Sequence, residues 1–142
     1  MRDPDRLYKF YSELEKIHSS YCSDLNFEKF IYDFLKQYKR DPFFPEEDEY
    51  LRDVEKWAME RTQQELDGKV NFDSSTYDKF RDLHKDYFPD WRFGQLLVNF
   101  LGCVPGSDYI GDDKLIKYLE QFAHGEHPPT NEKFQRRDNE IL

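Results

Sequence analysis

The sequence predicts an all-α protein: a six-helix bundle built from two repeated three-helix units, followed by a short C-terminal tail or marginal helix. Three observations carry this prediction. Apolar residues recur at spacings of three and four in six separate stretches, the period that lines one face of a helix. Pro, Gly, Asp and Ser divide those stretches, stopping one helix and opening the next. The second half also lies over the first at an offset of 66 residues, with its helices in the same order.

Helix one opens with Asp3 as N-cap and Pro4 at the first helical position, and buries Leu7, Phe10, Leu14, Ile17 and Tyr21. Asp24 stands before helix two, Leu25 to Tyr38, whose apolar face is Phe27, Phe30, Ile31, Phe34, Leu35 and Tyr38. Pro42 and Pro45 break that helix, because each disfavours helix in the residue before it; Phe43 and Phe44 between them are expected to fold back onto the core. Helix three runs from Glu46 through Tyr50, Leu51, Val54, Trp57 and Ala58 towards Leu66, and ends at Gly68. Ser75 with Asp78 reads as a capping box opening helix four, with Tyr77, Phe80, Leu83 and Tyr87 on its apolar face.

Helix five is Pro89 to Gly102. Asp90 is placed to cap its first amides, and Gly102 to end it in the left-handed conformation. Phe93, Leu96, Leu97 and Phe100 form one apolar stripe and Trp91, Gly94, Val98 and Leu101 a second, leaving Arg92, Gln95 and Asn99 to face water or a partner. A helix so apolar belongs inside a bundle, where Gly94 admits a close neighbouring helix. Helix six carries Leu115, Ile116, Leu119, Phe122 and Ala123 and stops at Gly125. Residues 126–142 hold Phe134, Ile141 and Leu142 as their apolar anchors and read as a tail or marginal helix.

At the offset of 66, Tyr11 falls on Tyr77, His18 on His84, Tyr21 on Tyr87, Asp24 on Asp90, Phe27 on Phe93, Phe34 on Phe100 and Leu35 on Leu101. These seven identities fall within 25 positions, where composition alone gives on the order of two. At an offset of 65, helix three falls on helix six, pairing Val54 with Leu119, Glu55 with Glu120 and Ala58 with Ala123. The expected organisation is therefore a first unit over 1–70, a second over 71–125 packed on it as one domain, and a tail over 126–142. Glu28 stands where the second copy has Gly94 and interrupts an apolar stripe, so helix two is expected to be more exposed than helix five.

Arg2-Asp3-Pro4-Asp5-Arg6-Leu7, Pro89-Asp90-Trp91-Arg92-Phe93-Gly94-Gln95-Leu96 and Asp112-Asp113-Lys114-Leu115 resemble the opening, middle and closing motifs of a family of small bacterial proteins of unknown function. Members of that family are one copy long; this chain resembles a tandem duplication that keeps the opening motif in the first copy and the middle motif in the second. The first copy's own middle, Ser23 to Phe30, departs from the pattern. The resemblance implies a small helical fold and a bacterial origin, phage-borne included, and implies no activity.

The 142 residues suffice for one domain burying roughly two-thirds of its unfolded surface. Mean hydropathy of -1.00 and 36% charged residues lean towards disorder, but 18% aromatic content supplies core area from few positions. No apolar run approaches a membrane span and the N-terminus lacks a signal-peptide pattern, so a cytoplasmic protein that binds no membrane is expected. Cys22 and Cys103 read as buried free thiols.

For chemistry the candidates are few. His18 and His84 are either half-buried packing residues or a sensing or metal-binding pair; His124 and His127 flank a glycine turn without a third ligand nearby. Glu46-Glu47-Asp48-Glu49 and Asp112-Asp113 fall in first turns, where the helix dipole favours negative charge. No phosphate loop, nucleophile elbow or calcium loop is present, so no cofactor or metal and no enzymatic activity is expected. A net charge of -9 disfavours direct binding to nucleic acid, with Arg136-Arg137 the only adjacent arginine pair, and the charge divides evenly as -5 over 1–70 and -4 over 71–142.

The leading expectation is a non-enzymatic module that binds another protein, an unidentified partner, through Arg92, Gln95, Asn99, Phe43, Phe44 and Tyr109. The alternatives are an acidic inhibitor or nucleic-acid mimic, whose carboxylates on helices three and six would converge on one face, and a metal or small-ligand protein built on the histidines. Pairing of two copies into a homodimer stays open.

Overall fold

A computed structural model describes residues 2–62, 71–102 and 110–125. It contains six α-helices: α1 (Arg6–Tyr21), α2 (Phe27–Gln37), α3 (Glu47–Thr62), α4 (Ser74–Tyr87), α5 (Phe93–Leu101) and α6 (Asp112–Ala123), with no strand among the described residues. None of these helices is long and apolar enough to cross a membrane. The predicted extension of helix three to Gly68, Tyr109, Cys103 and the tail from 126 lie outside the described residues.

The long helices α1 and α4 pack on each other; α1 also packs on α3, α4 on α6, and α2 touches α6. Apolar residues at helical spacing turn inward as the sequence predicts. Leu7, Phe10, Leu14 and Ile17 of α1 and Tyr77 and Phe80 of α4 are buried. The middle of the core is aromatic: Phe10 meets Phe93 at 4.8 Å between centroids, Phe27 meets Phe80 at 4.9 Å, and Tyr11 meets Phe93 edge-on at 5.7 Å. Tilted and edge-on pairs align a ring's positive edge with a negative face and add about 0.5–1.5 kcal/mol each beyond burial. This is how a chain of such low hydropathy closes a core.

The helix ends differ from the sequence reading. Asp3 does not cap α1 directly: its carboxylate accepts the Asp5 amide in a preceding turn, and Asp5 is the N-cap. Asn26, not Asp24, caps α2 by accepting the Lys29 amide. At α4 the cap is Asp73, which accepts both the amide and the hydroxyl of Ser75, so Ser75 is a capped residue and not the cap. Helix α5 starts two residues later than Asp90 would set it, with Arg92 as its N-cap, and Gly102 holds ordinary right-handed angles of φ -63° and ψ -19°. Gly125 does end α6 with a positive φ of 76°.

The first amides of the middle helices are satisfied from elsewhere in the chain. Glu47 of α3 accepts the Phe93 amide at 3.1 Å, while the two carboxylate oxygens of Asp112 accept the Phe27 and Glu28 amides at 2.9 and 2.8 Å. Glu28, expected to expose α2, is 1% exposed. Its oxygens accept the amides of Ile110 and Gly111 at 3.0 and 2.7 Å, which makes the carboxylate a bridge between α2 and the chain entering α6. Helices α2 and α5 consequently bury matching sets of five residues, with Glu28 buried in the place that Gly94 takes in α5.

Gly94 does permit a close approach, but from a loop as well as a helix. The Pro42 carbonyl oxygen and the Tyr50 hydroxyl of α3, themselves hydrogen-bonded, occupy the space a Cβ would need. Gly94→Ala therefore forces loop 41–45 off the start of α5. The expected cost is about 1–3 kcal/mol, as for other overpacked sites, read as a lower urea midpoint with an unchanged m-value.

Candidate functional site

Two groups of polar side chains stand out, one inside the molecule and one at its surface. In the interior, His18 of α1 and His84 of α4 are fully buried. His18 Nε2 lies 2.7 Å from the Leu25 carbonyl and its Nδ1 2.7 Å from the Tyr77 hydroxyl. His84 Nε2 lies 2.7 Å from the Trp91 carbonyl and its Nδ1 2.7 Å from the Tyr11 hydroxyl. A carbonyl only accepts, so each Nε2 carries the proton and donates, and each Nδ1 accepts from a tyrosine. The tyrosine in each case comes from the other long helix. His18 also stacks on Phe30 at 4.2 Å and 13°.

Both imidazoles have every nitrogen committed, which leaves no lone pair for a metal. Among the described residues there is no group of three His, Cys, Asp or Glu placed to hold an ion. His124 lies against Tyr87, 3.4 Å from its hydroxyl, well away in sequence from the buried pair, and His127 lies outside the described residues.

The surface group forms where the N-terminus of α1, the loop 41–45 and the start of α5 meet. Its organiser is Arg6, which the helical pattern treats as one more surface residue; its only sequence signal is its place in the Arg2–Leu7 motif. Its guanidinium donates to Glu47 at 2.6 Å and to the carbonyls of Pro89 and Trp91, both at 2.8 Å. The fork of donors on one planar group suits such a three-way clamp. Glu47 in turn takes the Phe93 amide, so Arg6 and Glu47 together set where α5 begins.

Arg92 is the N-cap residue of α5 and is half-buried. Its Nε donates to the Phe43 carbonyl at 3.2 Å, and its guanidinium carbon sits 5.5 Å from the centre of the Phe43 ring. Phe43 packs edge-on against Phe44 at 5.1 Å, and its amide donates to Asp41 at 3.0 Å. Pro45 is buried beneath. The expectation that both phenylalanines fold inward therefore holds in half: Phe43 is partly covered, whereas Phe44 is 66% exposed.

The structure thus brings together Arg92, Phe43 and Phe44. Gln95, one turn along α5, is half-buried rather than free in water, and Asn99 is exposed further on. The predicted second apolar stripe of α5 is also only partly covered, with Val98 38% exposed. Val98 lines a shallow apolar groove of about 380 Å³ with Tyr32, Leu35, Leu97 and Leu101, between α2 and α5.

The acidic run at the start of α3 is largely neutralised. Glu46 pairs with Arg2, Glu47 with Arg6 and Glu49 with Arg40. The Arg2 guanidinium holds the Glu46 carboxyl below the usual range, and Arg61 does the same for Asp24. Burial pushes Glu28 and Asp112 the other way, against the amides that each accepts. Asp112 also borders a cleft of about 640 Å³ with Asp24, Asp73, Asp113, Lys29 and Lys114, a lining of mixed charge.

The chain matches no family model, no curated protein and no solved structure. The site's meaning therefore rests on its own geometry.

Two outcomes follow from the buried imidazoles. Burial lowers both from 6.5 to about 4. Between those values the unfolded chain takes up protons that the native chain does not. Stability therefore rises with pH across this window and is lost as pH falls through it, by roughly 3 kcal/mol for each imidazole at full extent. Proton NMR of His18 and His84 should give midpoints near 4, with the urea midpoint falling from pH 6.5 downward; imidazole midpoints near 6.5 would contradict this. Tyr77→Phe strands the Nδ1 of His18 and should cost about 1–3 kcal/mol in urea unfolding at pH 7.

Proposed function

We propose that this chain is a non-enzymatic helical module that binds another protein, built from two copies of a three-helix unit, and that Phe44 on its Arg92-braced loop is the centre of the contact. The observation that carries this reading is a large aromatic ring held 66% exposed by a loop that is itself fixed. Asp41, Tyr50 and Arg92 each bond to the loop backbone, so presenting Phe44 costs little ordering entropy on binding. Aromatic rings beside arginine are the composition in which binding energy concentrates at protein interfaces. Arg92 supplies charge over the neighbouring Phe43 ring, on which Phe44 packs, with Gln95 and Asn99 continuing the same stripe along α5.

Support for the duplication comes from the offset of 66 and from the contacts. Tyr11 bonds to His84 and Tyr77 to His18, a reciprocal exchange between residues that the offset equates. Leu25 and Trp91, whose carbonyls take the two Nε2 protons, also stand 66 apart. The resemblance to the small bacterial family gains a physical reason as well. Arg6 of the opening motif binds the Pro89 and Trp91 carbonyls of the middle motif, and Asp112 of the closing motif caps α2.

The test is capture of partners by the full chain in a nuclease-treated bacterial lysate, comparing wild type with Phe44→Ala and Arg92→Ala. A stoichiometric protein retained by wild type should be lost with Phe44→Ala and weakened at least tenfold with Arg92→Ala. Phe44→Ala itself should shift stability by no more than about 0.5 kcal/mol, since the ring is exposed. A retained set unchanged by Phe44→Ala overturns the assignment of this loop.

A further inference from the structure

Besides contacts inside each half, such as Asn26 on the Lys29 amide, a set of polar contacts at the two middle helices runs from one half of the chain to the other. The first amide of α5 is held by Glu47 of α3, and the first amides of α2 by Asp112 of α6. Arg6 of α1 takes the carbonyls that precede α5, while the amides of Asn71 and Phe72, ahead of α4, donate to the Ser23 carbonyl that precedes α2. The two buried Tyr–His contacts cross the seam between α1 and α4 in the same sense.

From this placement we infer that the interface between the halves also fits a second copy of the chain: an opened molecule can pair its first half with the second half of another, closing a two-fold dimer in which every one of these contacts is made in trans. The inference rests on where the contacts run and stands whether or not Phe44 meets a partner. Contacts inside a half, such as Phe34 on Trp57 or Arg40 on Asp53, are the same in both forms. What separates them is connectivity. Within one chain the other half is present at an effective concentration on the order of millimolar, so the monomer prevails in dilute solution and the exchanged dimer forms when chains fold together at comparable concentration. Once formed, the dimer is slow to revert, because release requires the buried imidazoles and tyrosines of a whole seam to part.

Full-length variants damaged in opposite halves test this. Phe10→Asp with Leu14→Asp places two charges in the core from the first half; Tyr77→Asp with Phe80→Asp does so from the second. Each variant refolded by itself should lack native helical signal. Refolded together from urea, they form one lobe carrying all four substitutions and one lobe wholly wild type. About half of the native helical signal and a cooperative melt should return, in a species of dimer mass. Two variants damaged in the same half should recover nothing. A mixture whose signal equals the sum of its separately refolded components overturns the inference. Wild-type chain gives an independent reading: refolded at about millimolar concentration it should yield a dimer that persists on dilution and returns to monomer only after renewed unfolding at about micromolar concentration. Monomer alone under both conditions counts against it equally.

Discussion

The packing of the molecule depends on two neutral imidazoles in the seam between α1 and α4. Each reaches a carbonyl seven residues further along its own chain and a tyrosine on the opposite helix. The first bond fixes the turn that follows the long helix; the second fixes the register of one long helix against the other. Turning either helix by one residue, about 100°, would strand buried nitrogens and hydroxyls together, at about 1–3 kcal/mol for each orphaned group. Apolar packing alone tolerates such slips far better, because one methyl group resembles another. The aromatic walls around the imidazoles contribute the bulk of the burial, and the four hydrogen bonds decide which of several similar packings is adopted.

Six helices and most of their buried faces are legible in the sequence, because burial of one face imprints the helical period directly on Leu7, Phe10 and Leu14 or on Phe27, Phe30 and Phe34. Helix starts are less legible. Capping patterns assume that donor and acceptor are near in sequence, and Asp90 fits that pattern well, yet the Phe93 amide finds Glu47 from 46 residues away. Asp90 instead accepts the Arg2 amide. The same limit hides Glu28: a carboxylate in an apolar stripe reads as an exposed interruption, and only the amides of Ile110 and Gly111, 82 and 83 residues on, account for its burial. At the surface, the Arg92 stripe and the loop aromatics are legible as separate candidates, but their meeting depends on a bend of the chain at Pro42 and Pro45 that periodicity does not encode.

Charge is used unevenly despite its even distribution along the sequence. Among the described residues, Arg2, Arg6, Arg40 and Arg61 pair with carboxylates at the junctions between helices, while Lys16, Arg81 and Lys85 pair with carboxylates on their own helices. Exposed ion pairs contribute little, so the half-exposed Arg40 adds little to stability. Arg6 and Glu47 are different, being mostly covered and sharing their remaining hydrogen-bonding capacity with backbone groups of α5. Electrostatics here serves to place chain ends, and the excess of acidic groups keeps the outer surface hydrated.

Gly94 and Glu28 begin the two middle helices at corresponding places and face opposite kinds of backbone. The first half brings the Glu28 carboxylate and the Pro42 carbonyl, both acceptors; the second brings the bare backbone of Gly94 and the amide donors of Ile110 and Gly111. Two first halves set together would oppose acceptor to acceptor, and two second halves would leave donors above an empty gap. Only unlike halves match. These two positions give the seam a polarity: the molecule distinguishes its own left hand from its right.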